Sequence, residues 1–274
     1  MSVATLARVA LARTGVGSAL GRLPLVEAAY VRHAAARRDH SALQWGIFET
    51  YDAAAAAIPG NRMAGWDHDE AATIWRDKID SVRASTYPVL FWLTQLMRAD
   101  SRVTDVGGSI GLTYYAYRRF AEPPRNLRWL IVEVPHIVAE GRRIASREGA
   151  DSLVFDTAIH SAGEYDILLA AGALQYMPRS LPGLLEDSPS RPRYILVNKV
   201  PLTRTKAFWT LHNFGPAITP YHVFNETAFL EYFEGHGYAI RDRWDVPDIS
   251  CDIPFHPERT VESLTGFCLE RSGS

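Results

Sequence analysis

The residue types that could do chemistry gather in one short stretch and at a few points spaced beyond it. Residues 103–106 form an apolar run that carries Asp105; the chain then passes through Gly107, Gly108, Ser109 and Gly111 into a helical pattern over 113–120. Strand, glycine turn and helix bring bare backbone N–H groups against a nucleotide-like ligand. Glu133 closes the next apolar run, 22 positions after Gly111, near the roughly 20-residue spacing at which a carboxylate accepts hydrogen bonds from both ribose hydroxyls. Asp156 and Thr157 close the third run, and Ala171, Gly172 and Gln175 follow the fourth. In an open parallel sheet such ends meet at the ligand crevice.

The frame of the turn narrows the choice of nucleotide. Counted from Gly107, the dinucleotide fingerprint G-x-G-x-x-G needs glycine where Ser109 and Leu112 stand, so it fails. The shorter frame G-x-G-x-G gives Gly107, Ser109 and Gly111, with a small serine in the middle. There is no G-x-S-x-G elbow, no P-loop and no metal-ligand spacing; His68 among Asp67, Asp69 and Glu70 reads as a solvated helix start.

These positions need elements to hold them. From residue 102 apolar strand-like runs (103–106, 129–134, 153–155, 167–171, 194–200, 238–244 and 264–269) alternate with helical ones (113–120, 137–147, 181–185 and 225–234). The early runs are nearly continuous in apolar residues, as strands covered on both faces require. The pattern predicts an α/β fold, a doubly wound, seven-stranded, mostly parallel sheet. The last two strands are joined by a proline-rich loop with no helix, which predicts a closing pair with one strand antiparallel.

Upstream, residues 43–65 read as a helix stopped by Pro59-Gly60, and 67–97 as further helices. The expected organisation is therefore a helical N-terminal arm and cap over 1–99 and a ligand-binding domain over 100–274. The first 40 residues carry Arg8, Arg13, Arg22, Arg32, Arg37 and Arg38 against only Glu27 and Asp39. They read as an arm packing on the body or on a second copy in a homodimer, or as a peripheral contact with an anionic membrane surface.

Bulk properties set outer bounds. A chain of 274 residues, 47% hydrophobic, can bury a full core. A net charge of -2 argues against nucleic acid as an electrostatic partner. Two cysteines, Cys251 and Cys268, form no disulfide framework, and no run reaches the roughly 18 apolar residues of a membrane span. No compact apolar signal segment precedes a small-residue cleavage site, so the expected location is cytoplasmic.

The stretch Val-Thr-Asp-Val-Gly-Gly-Ser-Ile-Gly at 103–111 resembles the first motif of class I S-adenosylmethionine-dependent methyltransferases. Ile-Val-Glu-Val-Pro-His at 131–136 resembles their second-strand acid with its following proline, and 166–177 is similar to their fourth-strand segment. This resemblance covers about residues 100–272. Residues 44–51, 210–215 and 220–224 further resemble a bacterial methyltransferase-like family associated with surface-polysaccharide or secondary-metabolite pathways.

The resemblance implies S-adenosyl-L-methionine as cofactor and a Rossmann-like sheet. It places the methionine moiety on Asp105 and the backbone of Gly107, Gly108, Ser109 and Gly111. It places the ribose on Glu133, the adenine on Val134, and the adenine amino edge on Asp156 or Thr157. Ala171 and Gly172 would line the floor under the sulfonium, with Gln175 and Tyr176 bordering the acceptor.

Methyl transfer to oxygen or nitrogen needs a proton acceptor, and histidine is the usual one. His212, in the polar segment after the fifth strand, is the first candidate and His222 the second; His160 follows. Lys199, Arg204 and Lys206 offer charge to an acidic acceptor, or form a solvated basic loop. The function expected is methylation of a small molecule or glycan at a hydroxyl. The rivals are a nicotinamide-dependent oxidoreductase and a non-catalytic methyltransferase-like partner subunit.

Overall fold

The computed structural model describes residues 10–16, 19, 24–39, 42–178 and 181–273. Arg8, Arg22, Gly17 and Gly21 of the arginine-rich arm lie outside them. In chain order the elements are α1 (Pro24–Ala36), β1 (Leu43–Phe48), α2 (Tyr51–Ala56), β2 (Met63–Ala64), α3 (Asp69–Thr73), α4 (Tyr87–Leu96), β3 (Arg102–Val106), α5 (Leu112–Arg118), β4 (Arg128–Val132), α6 (Pro135–Arg147), β5 (Leu153–Asp156), β6 (Ile167–Ala171), α7 (Leu181–Glu186), β7 (Tyr194–Val200), β8 (Leu202–Thr203), β9 (Phe208–Asn213), β10 (Ala217–Asn225), α8 (Glu226–Gly235), β11 (Tyr238–Val246) and β12 (Leu264–Arg271).

The chain divides into two compact units that alternate along the sequence. One holds the described residues up to Gly65 together with Pro201–Glu226 and Ile249–Leu264; the other holds Trp66–Val200, Thr227–Asp248 and the residues from Thr265 on. The stretch 66–99 thus belongs to the same unit as the glycine turn.

The second unit contains the seven-stranded sheet, in the order β11-β12-β7-β6-β3-β4-β5. The pairs β3/β4, β4/β5, β3/β6 and β6/β7 are parallel, and β12 runs antiparallel to β7. This is the doubly wound, Rossmann-like sheet the strand–helix alternation predicts, with its antiparallel closing strand. Side chains on both faces are buried: Ile131, Ile167, Leu168, Leu169, Ile195 and Leu196 are wholly inaccessible, which is why these runs read as continuously apolar. Chain order reverses beside β3, flanked by β4 and β6, so the crevice of such a sheet opens at the carboxyl end of β3.

The first unit holds a second sheet, β1-β9-β10-β2, with β8 also paired to β10. Here the sequence reading is corrected twice. Residues 43–48 form a strand, not the start of a helix, antiparallel to β9. The pairing with β9 decides it, and Gly46, with φ +76°, accommodates the register shift between Trp45 and Phe48. The polar segment after β7, expected as loop, is the hairpin β9/β10, turned at Gly215 with φ +104°. Its polar residues are buried but bonded. The Thr210 hydroxyl donates to the Trp45 carbonyl at 2.9 Å, and the Asn213 amide donates to Ala34 O at 2.7 Å and Arg37 O at 2.9 Å. Within this unit the arm is tied down too: Arg13 Nε meets Asp252 Oδ1 at 2.8 Å, and Phe255 N donates to Leu11 O at 3.0 Å.

Arg62 closes the same unit. Its guanidinium, on a buried residue, donates to the carbonyls of Ala35, Arg37 (2.7 Å) and Gly215 (2.6 Å) and meets no carboxylate among these contacts. The carbonyls of Ala35 and Arg37 lie at the end of α1, where backbone acceptors have no intrahelical donor and positive charge is favoured. Arg62→Met is expected to strip several buried acceptors of their donor and lower stability by about 1–3 kcal/mol, measurable as a drop in the denaturant midpoint.

Candidate active site

In the seven-stranded sheet the ladder aligns the predicted residues at one edge. Gly107 N donates to Val132 O at 2.9 Å and Glu133 N to Asp156 O at 3.0 Å, so the ends of β3, β4 and β5 are level. On the other side Ala171 at the end of β6 is paired with Asn198 of β7. Asp105 to Gly111, Glu133, Val134, Asp156, Thr157, Ala171, Gly172 and Gln175 therefore lie along one rim.

The turn admits only glycine at its tight points. Gly107 has φ +66°, and a Cβ there would stand 2.2 Å from Ala173 Cβ. A Cβ on Gly108 would stand 2.6 Å from the Asp105 carboxylate, and one on Gly111, with φ +98°, 2.8 Å from Leu153 Cδ2. Ser109 takes φ +56°, which is strained for a residue with a side chain.

Two acids meet across the turn. Asp105 is wholly buried; the Trp129 indole donates to its Oδ2 at 3.2 Å. Burial pushes its pKa up to about 8, with the Glu133 charge adding to the rise and the Trp129 bond opposing it. Glu133 accepts from Ser109 N at 3.1 Å and from Val134 N at 2.9 Å, so it braces the turn from the neighbouring strand. Desolvation raises its pKa to about 7 despite those two bonds, and the Asp67 charge adds to the rise. Asp156 behaves oppositely. Burial pulls upward, but bonds from Ser161 and from the backbone of Thr157 (2.6 Å) and Ala158 (3.2 Å) hold its pKa below the usual carboxylate range.

Three buried polar atoms on this rim have no hydrogen-bond partner within the protein: Asp105 Oδ1, Ser109 Oγ and Gln175 Oε1. The other end of Gln175 donates to Gly172 O at 3.1 Å, which fixes where the free oxygen lies. Two orphaned acceptors and one hydroxyl around a bare backbone turn call for an occupant with both donors and acceptors.

The sequence reading missed a strap. Trp66 meets the Tyr176 ring edge-on at 5.3 Å, just beyond β6, while the Asp67 carboxylate accepts from His136 N at 3.0 Å and pairs with His136 Nδ1 at 2.8 Å, just beyond β4. Two adjacent residues thus reach from one side of β3 to the other. His136, in the first turn of α6, has its pKa raised chiefly by the bond to Asp67. The only sequence signal was the Asp67–Glu70 run, and its other part is as expected: His68 caps α3, accepting from Ala71 N at 3.2 Å. No metal-binding group of three or more ligand-type side chains occurs among the described residues.

His212 and His222 lie in the other unit, on β9 and β10. His222 stacks on Trp209 at 4.3 Å and 6°, and burial lowers its pKa to about 4, leaving it neutral and weakly basic at pH 7. His212, also buried, meets the Tyr221 ring edge-on at 5.7 Å. His160 is exposed on a short 3₁₀ turn, Ile159–Ala162.

No family model and no curated protein matches the sequence. Solved structures do resemble the fold. The 1,6-didemethyltoxoflavin-N1-methyltransferase of Burkholderia thailandensis, with 1,6-didemethyltoxoflavin and S-adenosylhomocysteine bound, is 16% identical over 78% of this chain and 94% of its own, at a TM-score of 0.46. The CcbJ methyltransferase of Streptomyces caelestis is 12% identical over 76% of this chain and 98% of its own, at 0.47. The magnesium protoporphyrin IX methyltransferase ChlM of Synechocystis PCC 6803, with S-adenosylhomocysteine bound, is 13% identical over 72% and 93%, at 0.46. Likeness at such identities bears on fold alone, and the class of fold is fixed by the strand order itself: a Rossmann-like, doubly wound α/β unit. Among the described residues no helix is long and apolar enough to cross a membrane.

Proposed function

We propose that the chain is an S-adenosyl-L-methionine-dependent methyltransferase acting on a small molecule or glycan at a hydroxyl oxygen. One observation carries the reading: the rim of Asp105 Oδ1, Ser109 Oγ and Gln175 Oε1, buried and unpartnered around a turn with no space for a Cβ at Gly107, Gly108 or Gly111. The amino-acid end of the cofactor brings ammonium donors for the two acceptors and a carboxylate for the hydroxyl and the backbone. Its ribose brings two hydroxyls for Glu133, with Val134 against the base and Asp156 or Thr157 at the adenine edge. The hydroxyl preference, and the link to surface polysaccharides or secondary metabolites, rest on the sequence resemblance at 44–51 and 210–224.

When bound, the cofactor supplies an electrophilic methyl group. The protein's part is orientation and dryness. Ala171 and Gly172, at the end of β6, would form the floor beneath the sulfonium. Trp66 and Asp67, anchored on Tyr176 and His136, would border the cofactor between the ends of β6 and β4.

Calorimetric titration of the full chain with S-adenosylmethionine, S-adenosylhomocysteine and NAD tests the proposal. The first two are expected to bind and NAD to give no heat; no binding of either adenosyl compound would overturn it. Glu133→Ala is expected to weaken S-adenosylhomocysteine by about 1–3 kcal/mol, the loss of charged hydrogen bonds. Unchanged affinity would remove Glu133 from the ribose site.

A further inference from the structure

Among the 29 basic residues only three are lysine: Lys78, Lys199 and Lys206. Lys199 stands where β7 breaks its pairing with β12. Val197 faces Phe267 and Val200 faces Thr265, so Asn198 and Lys199 together oppose the single residue Gly266. That is a β-bulge, a device that turns a side chain out of the strand's alternation. Lys199 takes φ +58°, a left-handed conformation that a residue with a side chain adopts only when its surroundings enforce it.

The surroundings do enforce it. Asn198 Nδ2 donates to the Ser85 carbonyl at 2.7 Å, and its Oδ1 accepts from Trp244 Nε1 at 3.0 Å. The Trp244 indole in turn lies so close to Gly266 that a Cβ there would stand 2.2 Å from it. Asn198 is clamped from two sides, and the bulge delivers its neighbour.

The Lys199 stem then lies against Gly172 at the end of β6, its Cδ 3.2 Å from where a Cβ would be. No carboxylate forms an ion pair with Lys199 among the described residues. The charged groups that act on it are Arg83, which lowers its pKa, and Asp248, which raises it; burial is the largest effect and brings the value down to about 8. Arg83 and Asp248 are both exposed, whereas Lys199 is half-buried. A half-buried ammonium with no carboxylate in ion-pair contact, on which the charges of Arg83 and Asp248 act in opposite directions, is a site that lacks a paired anion.

The geometry points to Lys199, with Arg83, as the subsite for an anionic oxygen group on the methyl acceptor, a carboxylate or a phosphate, held beside the floor formed by Ala171 and Gly172. The placement on the acceptor side rests on the proposed methyltransferase reading; the anion site itself does not. The bulge is the specificity device, because it brings the Lys199 stem out of the strand's alternation and against Gly172. An acceptor of this class carries its negative charge close to the hydroxyl that is methylated.

Protein labelled with ¹³C-lysine gives only three Cε signals, and Lys199→Arg assigns one by removing it. In the presence of S-adenosylhomocysteine, the pH titration of Lys199 is followed with acetate, with inorganic phosphate, and with chloride at matched ionic strength. The Lys199 pKa is expected to rise by about 1 or more with acetate, phosphate or both, the shift an opposite charge at close range produces, while Lys78 and Lys206 stay put. Acetate alone indicates a carboxylate acceptor, phosphate alone a phosphorylated one, and both a site for either. A Lys199 signal that moves no more than those of Lys78 and Lys206 overturns the subsite. Calorimetry with S-adenosylhomocysteine on the same protein separates the two claims: no heat sinks the methyltransferase reading, and the lysine titration still decides the anion site.

Discussion

Gly107→Ala is expected to lower the stability of the protein by about 2–5 kcal/mol and to abolish measurable S-adenosylhomocysteine binding. Two costs combine. A left-handed backbone with a Cβ costs about 1–2 kcal/mol, and forcing a methyl group against a packed neighbour adds about 1–3 kcal/mol. The neighbour is Ala173 Cβ, 2.2 Å from the new atom. Ala173 cannot withdraw freely, because the adjoining Gly172–Gln175 segment is held by the Gln175 amide on the Gly172 carbonyl at 3.1 Å. Gly149 is the control: it has φ +57° but nothing within 4 Å of its Cβ position. Gly149→Ala should therefore show only the backbone cost. Chemical denaturation compares the two variants, and equal losses would mean that the glycine turn is not tight against Ala173.

The second large effect concerns Asp105 and pH. Its folded pKa of about 8 lies far above the ordinary 3.8. Below pH 4 the carboxyl is protonated in both folded and unfolded chains and favours neither. Between pH 4 and 8 the unfolded chain gives up the proton while the folded one keeps it, so stability falls as pH rises and the loss is complete above pH 8. The size is on the order of 6 kcal/mol, at about 1.4 kcal/mol for each pH unit between the two values. Glu133, raised to about 7, slopes the curve the same way.

Asp105→Asn retains an acceptor for the Trp129 indole and carries no charge. The variant is expected to have a flatter stability profile from pH 5 to 8 and to exceed the wild type at pH 8. Its S-adenosylhomocysteine affinity should fall about tenfold or more, the worth of one charged hydrogen bond. A protein more stable without its ligand and worse at binding it marks a carboxylate kept for function. Denaturant titrations of both proteins at pH 5 and pH 8 decide the matter. A wild-type stability that does not decline relative to the variant would show that Asp105 is already ionised in the fold.

The sequence by itself determined the seven-stranded sheet and the rim of its carboxyl ends. All seven strands and the four helices from residue 112 on lie where the periodicity put them, because a strand buried on both faces must be apolar throughout and a covering helix must be amphipathic. Those are local requirements. Glycine at 107, 108 and 111 was legible for a similar reason, because close backbone approach restricts residue type, and the acid at 133 by its spacing from that turn.

Tertiary structure alone decided the rest. Residues 43–48 are a strand because β9, more than 160 positions away, offers them a ladder, and nothing local distinguishes that apolar stretch from a helix. His212 and His222 lie not in a loop but on the two strands of a hairpin, His212 buried and His222 half-buried, whose polar groups are bonded across the unit. Trp66 and Asp67 look like helix-start residues until Tyr176 and His136 appear as their anchors. Lys199 stands out in the sequence only as one of three basic residues with Arg204 and Lys206, offering charge to an acidic acceptor or forming a solvated loop. Its direction is set by one unmatched residue opposite Gly266 and by Asn198 bonded to Ser85 and Trp244. Register, bulges and long-range hydrogen bonds depend on which segments meet, and pairing between distant segments leaves almost no trace in the local pattern of either.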